Sequence, residues 1–504
     1  MLHKVLMTLA GALAGAGLLS CAQQPKPLEV ARGTVITGVT VVDTRTGALQ
    51  PGANVVLDEG RIQAITIRPV RLGGGVRTVE GKGQYLVPGY LDMHTHALPT
   101  AAQPTQDLTV LLARGVTGIR EASGSPQLLD QARQHNATVL SGQGTGPEVL
   151  MLPTGLFAGQ APTEPRARQF VRERLAEGSN YVKLVGGPPP AFLAAIDEAR
   201  KQGSHAAGHT ILPVSALATS NAGLRSFEHL GAGMGLVLDC SREESAIRSA
   251  ALATPVPPPS QVINPRIFDG KSHAPFYQRI IDSFDPARCQ TLSEAFVRNG
   301  SWQTVTLIRL RTQAFGADPS YLHDPNLKYV DKTRVALWST IAAQYAAAVP
   351  LPAQQTLQSF YALQRRTVGL MQQHGVKILA GSDLGGGWVV PGFSLHQEFA
   401  ELAAAGLTPL QVLQATTLHG AQFTGRESTM GSVEPGKNAD LVLLEANPLT
   451  DVAHLGRISA VFLRGRHFPA TELDKMLADV AARYAAEPAR QVSLRADPNH
   501  PPHN

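Results

Sequence analysis

Closely spaced cysteines are missing from this chain. Its three cysteines, Cys21, Cys240 and Cys289, stand far apart, which argues against a cysteine metal cluster or a thioredoxin-like redox motif. No run of Lys and Arg is present either. The formal charge of +5 is spread along the 504 residues, so there is no nucleic-acid footprint and no nucleic-acid partner is expected. Charged residues are sparse, at 16% against 43% hydrophobic, and the chain can bury a large core with room for more than one domain. The 36 prolines and 48 glycines fall between periodic segments, the pattern of an enzyme with many loops.

Long apolar runs are also lacking, except at the start. Val5 to Leu19 follows Lys4 and ends in small residues. It is short for a membrane span and reads as a secretion signal over residues 1–20. The sequence Leu18-Leu19-Ser20-Cys21 resembles the bacterial lipoprotein cleavage box, in which the cysteine becomes the lipidated first residue. An ordinary cleaved signal with an incidental cysteine is the alternative. Ala22, in place of Asp, points to an outer-membrane anchor through Cys21, a tether over 21–32 and a periplasmic domain. Export would let Cys240 and Cys289 pair, although two independent thiols fit their spacing nearly as well.

Two β-like regions lie at opposite ends of the chain. VITGVTVVDTRTG and ANVVLDEGRIQAI belong to residues 33–85, and Ala439–Leu444 and Ile458–Leu463 to residues 431–469. They suggest one small β-sandwich assembled from both ends. Between them, over 86–430, strand-like segments alternate with helical ones. The strands are expected at Leu91–Met93, Val116–Arg120, Ala137–Leu140, Tyr181–Leu184, Ser204–Gly208, Leu224–Glu228, Thr304–Ile308 and Lys377–Ala380. Eight such units predict an α/β fold, a (β/α)8 TIM barrel, with insertions near 240–345. A terminal helix and a disordered tail are expected over 470–504.

The residues with chemistry fall at the ends of these strands. In LVPGYLDMHTHALP, His94 and His96 stand two apart, so on a strand both rings face one side and can meet one ion. His209 ends GSHAAGH, His229 ends LRSFEH, and Asp383 closes VKILAGSD. Each follows a strand-like run, at the end where barrel enzymes place their sites. Asp383 can ligate a metal and accept a proton from water, or simply cap the following segment. His205 is expected to be a core or surface histidine. Arg120, Arg309 and Arg311 could each hold a substrate carboxylate, but a partly buried salt bridge is the expected fate of each.

Taken in order, these elements resemble the amidohydrolase superfamily, nearest its imidazolonepropionase-like and Xaa-Pro-dipeptidase-like hydrolases. The resemblance runs through Pro88-Gly89 with His94 and His96, Lys183, His209, His229 and the Asp383 of AGSD. It continues through Gly392–Glu398, Ala415–Thr417 and Gly431–Pro448. Arg120-Glu121 departs from the usual Arg-Asp, which puts a substrate-side role for that acid in doubt. The resemblance implies a zinc-dependent hydrolase. Its metal residues would be His94, His96, Lys183, His209, His229 and Asp383, and its catalytic residues Asp383, His229 and His396, with Glu398 near the pocket.

Two Zn2+ ions and a carboxylated Lys183 are implied, against a mononuclear counter-reading. The expected reaction is cleavage of a peptide-like amide in a small substrate, such as a dipeptide or N-acyl amino acid, by metal-activated hydroxide. Hydrolysis of a cyclic amide, lactone or ester is the runner-up and deamination the third. A lipid-anchored binding protein is the reading outside enzymes, and a full set of strand-end ligand candidates argues against it.

Overall fold

The computed structural model describes residues 26–99, 106–255, 257 and 270–489. Cys21, the signal segment and the tail from residue 490 lie outside the described residues. Residues 28–32, expected in the tether, instead begin the strand Leu28–Val42.

That strand organises an eight-stranded sheet drawn from both ends of the chain. In order, the sheet runs Arg466–Pro469, Ile458–Leu463, Leu441–Leu444, Tyr85–Pro88, Leu28–Val42, Leu49–Asp58 and Arg61–Thr66, with Val70–Glu80 also paired to Leu28–Val42. The register of Leu28–Val42 against Leu49–Asp58 shifts between Ile36 and Val39 and again before Val41. Gly38, at φ +67°, supplies the backbone freedom for this irregularity. The break lets the early part of the strand pair with Val70–Glu80 and the late part with Tyr85–Pro88. Ile36, Val39, Val55, Ile62, Leu86 and Phe462 fill the interior of this sheet domain.

The central region is α/β, with parallel strands flanked by helices. One ladder holds Tyr90–Thr95, Val116–Glu121 and Glu148–Met151. The other runs from Ile378–Leu379 through Trp302–Thr304, Ser226–Glu228, Ala206–Gly208 and Val182–Leu184 to Leu156–Phe157. Backbone bonds tie the first strand to the last: Met93 N–H donates to Ala380 O at 2.9 Å, and Asp383 N–H donates to His94 O at 2.9 Å. At the other seam Asn180 N–H donates to Leu152 O at 3.0 Å. The parallel strands thus form two ladders joined at both seams by backbone bonds.

Two expected strands are displaced. Ala137–Leu140 lies inside the helix Pro126–Leu140, whose start is fixed by Ser125 accepting from Leu128 N–H and by proline in its first turn. The third strand is Glu148–Met151 instead. The seventh ends at Thr304, and Ile308 belongs to the helix Leu307–Ala314. In the insertion, Cys240 and Cys289 form a disulfide, and both residues are buried. Among the described residues, no helix is long and apolar enough to cross a membrane.

Candidate metal centre

The first and last strands are held in register by a buried carboxylate. Asp92 accepts from Ser382 N–H at 2.9 Å, from the Ser382 hydroxyl at 2.6 Å and from His94 N–H at 3.2 Å. This fixes the end of one strand against the other and sets Asp383 opposite the histidine pair. Asp383 adopts φ +56°, a left-handed conformation that Asp tolerates better than most residues. Its Oδ1 lies 3.2 Å from His94 Nε2 and 3.3 Å from His96 Nε2, and its Oδ2 lies 3.9 Å from His229 Nε2.

The far ring nitrogens of two histidines are held by hydroxyls. His96 Nδ1 is 2.6 Å from Ser123 Oγ, and His229 Nδ1 is 2.6 Å from Thr306 Oγ1. Such contacts fix ring orientation and leave Nε2 toward the centre. The His209 ring lies 5.2 Å from that of His229, and the His94 ring 4.6 Å from it, centroid to centroid.

A charged layer lies beneath these rings. Lys183 donates to Glu228 Oε2, and Arg120 Nη2 donates to Glu228 Oε1 at 2.9 Å. The same Glu228 Oε2 lies 3.6 Å from His94 Nδ1. Glu228 and His229 are adjacent in sequence, so on a regular strand they would face opposite sides. His229 has φ +54°. This break in the strand conformation lets both consecutive side chains turn inward.

Burial and the neighbouring charges set the protonation states. Burial, reinforced by Lys183, lowers His94 to about 4 and His209 to about 3. Burial also pushes His229 well below its usual range. Burial would raise Asp383, but the His229 and His94 rings outweigh it and hold the carboxyl well below its usual range. His94 Nε2 and Asp383 Oδ1 thus stand 3.2 Å apart inside a buried cluster. Both ring nitrogens of His94, His209 Nδ1 and Asp383 Oδ2 are buried without a hydrogen-bond partner.

A cation between these atoms would give them the partner they lack. Two overlapping sets have ligand atoms within 4.8 Å of one another: His94, His96 and Asp383, and His94, Glu228 and His229. The nitrogen and oxygen donor set and its buried, unpaired atoms fit a divalent metal.

Residues 331–467 match the amidohydrolase family. In sequence, the chain is similar to imidazolonepropionase from Pseudomonas fluorescens, 36% identical over 118 residues, covering 23% of this chain and 28% of that protein. It is also similar to adenine deaminase from Lactiplantibacillus plantarum, 29% identical over 186 residues, covering 35% of this chain and 32% of that protein. The chain thus spans about a third of the length of these curated relatives. In structure it is similar to bottromycin amidohydrolase, with a TM-score of 0.68 at 20% identity, over 89% of this chain and 90% of that one. This is a shared fold across nearly the whole molecule.

The structure brings His94, His96, His229 and Asp383 together, with His209 beside His229 and Lys183 in the layer below. It does not bring His396 there. His396 Nε2 lies 2.9 Å from the Arg114 carbonyl, and its ring packs edge-on to Tyr90 and Phe399. Arg114 precedes the strand Val116–Glu121, so His396 serves the N-terminal end of the strands, away from the metal residues.

Glu398 accepts from Ile308 N–H at 2.7 Å at the start of the helix Leu307–Ala314, and burial pushes it up to about 8. Glu121 accepts from the Ala97, Leu98 and Ser123 N–H groups; it braces the turn after the histidine pair. His205 stacks on Tyr181. Sequence reading missed Glu228, Asp92, Ser123 and Thr306. Only Glu228 left a signal, as the acid directly before His229.

Proposed function

We propose that this chain is a metal-dependent hydrolase cleaving an amide bond in a small, peptide-like substrate such as a dipeptide or N-acyl amino acid. The observation that carries the reading is the convergence of buried imidazoles and the Asp383 carboxylate, several of whose ligand atoms have no hydrogen-bond partner. Zinc suits these donors. A divalent metal held there lowers the pKa of water toward ~7 and polarises a carbonyl. Asp383 orients the attacking water, takes its proton and passes it to the leaving nitrogen. Ser123 and Thr306 keep His96 and His229 aimed at the centre.

The test is purified, metal-loaded protein assayed on dipeptides and N-acyl amino acids against lactones and aryl esters, with and without a chelator. Amide turnover that the chelator abolishes supports the reading. A preference for lactones by orders of magnitude in kcat/KM overturns it in favour of the ester and cyclic-substrate alternative.

A second metal is part of the same proposal. His94, His96 and Asp383 would hold one, and His209 and His229 the second. Lys183 would lie between them once its Nζ has bonded the carbon of CO2 and released a proton. As an ammonium, Lys183 would repel a neighbouring cation. Its pairing with Glu228 favours the second reading, a mononuclear site. Under the two-metal reading, Lys183→Ala loses one of two equivalents in metal analysis, and a short added carboxylate restores part of the activity. One metal at full activity in both proteins sinks it.

Export with a lipid anchor at Cys21 is part of this proposal. The disulfide between Cys240 and Cys289 is compatible with the export part of this reading, because such bonds persist in oxidising compartments. Cys21→Ser is expected to move the protein from the membrane fraction to the soluble fraction with hydrolysis intact. A variant that stays as firmly membrane-bound as the unmodified chain removes the anchor.

A further inference from the structure

We infer that Arg309 anchors an acidic group on the leaving side of the substrate, so that the substrates are amides releasing an α-amino acid or a similar short acid. The inference rests on the hydrolase reading above and adds the residue that selects for charge.

Arg309 lies in the first turn of the helix Leu307–Ala314, just after the strand Trp302–Thr304. It is only 6% exposed. Its Nε is 3.4 Å from Asp383 Oδ2 and is buried with no hydrogen-bond partner. The nearby guanidinium groups are already committed: Arg120 to Glu228, and Arg311 to Glu401 at 3.2 Å. Arg309 has Asp383 as its one ion-pair partner among the described residues, and three histidines share that carboxylate. Once Asp383 serves a metal and a proton, Arg309 is a buried cation without a dedicated anion, an arrangement that calls for a partner. Its planar fork matches a carboxylate with two parallel bonds.

The loop after the last strand is built around this guanidinium. A Cβ on Gly386 would fall 2.4 Å from Arg309 Nε and 2.8 Å from its Cζ, so any other residue there pushes the group aside. Arg309 also adjoins the acid that hands a proton to the leaving nitrogen. An anion bound to it must therefore sit few bonds from that nitrogen, as the carboxylate of an α-amino acid does.

The experiment compares an N-acyl amino acid with its carboxamide, using metal-loaded wild type, Arg309→Met, Arg309→Lys and Gly386→Ala. Metal content is checked for each, so that loss of the site is seen directly. Wild type is expected to prefer the acid by roughly 100-fold in kcat/KM, mostly through KM. Arg309→Met should bring the ratio close to one, and Arg309→Lys should recover part of it. Gly386→Ala, which displaces the guanidinium without removing it, should lower the preference as well. Calorimetric binding of the free product acid should weaken in parallel, a readout independent of turnover.

Equal hydrolysis of both amides by wild type, or an undiminished preference in metal-replete Arg309→Met, overturns the anchor while the hydrolase reading stands. Hydrolysis of neither amide by any of the four overturns the hydrolase reading, and the anchor with it.

Discussion

Asp383→Asn is expected to lower kcat about 10³-fold, within the range for losing a positioned general base. Asparagine keeps the shape of the side chain and tolerates the left-handed backbone at this position, φ +56°. The fold and the Asp92–Ser382 bonds should therefore survive, and the loss should be chemical. Three histidine nitrogens approach the Asp383 carboxylate within 3.9 Å, so metal affinity should fall as well. Turnover at saturating metal, together with metal analysis, separates the two effects. A metal-replete variant retaining more than about a tenth of wild-type kcat would place proton transfer elsewhere.

Glu228→Gln is expected to give the largest loss of stability of any single substitution in the site. The carboxylate is fully buried and is the shared partner of Lys183 and Arg120. Burial would raise its pKa, but Lys183 overcomes this and holds it well below the usual carboxylate range, so it is ionised. Removing the charge leaves two cations in a dry layer, at about 3–5 kcal/mol for a broken buried pair. Chemical denaturation measures this. Adding Lys183→Met to Glu228→Gln should recover part of the loss, because one of the stranded charges goes with it. A loss below about 1 kcal/mol in the single variant would mean that the layer is hydrated, since only solvated pairs are worth so little.

The sequence carried the site where chemistry follows simple periodicity. His94 and His96 could be placed together because side chains two apart on a strand share a face. Asp383 could be placed because a short apolar run ends at it. Glu228 could not, since the same rule sends it away from His229; only the positive φ at His229 reverses that, and no residue type announces it. His396 failed for the opposite reason. It was read from a motif with no element beneath it, and it lies on the helix Phe393–Ala404, packed against the Arg114 backbone.

The third strand was misplaced because Ala137–Leu140 carries Thr, Val and Leu, whose β-preference a well-capped helix overrides. The sheet built from both ends was legible in composition, but its order was not. That order depends on pairings such as Leu441 with Pro88, which leave no local trace.

The same pairing dictates a sequence of assembly. Tyr85–Pro88 is synthesised early, but its neighbour Leu441–Leu444 emerges only after the whole α/β region has been made. Until then one edge of Tyr85–Pro88 lacks its strand, and an open edge is a template for wrong pairing with other chains. Closing it is a contact of very long sequence separation, the slow kind. The sheet domain is therefore completed only after the α/β region has been made. A chain interrupted before residue 441 should be the form that aggregates, although every residue of the proposed chemistry up to Asp383 is already in place.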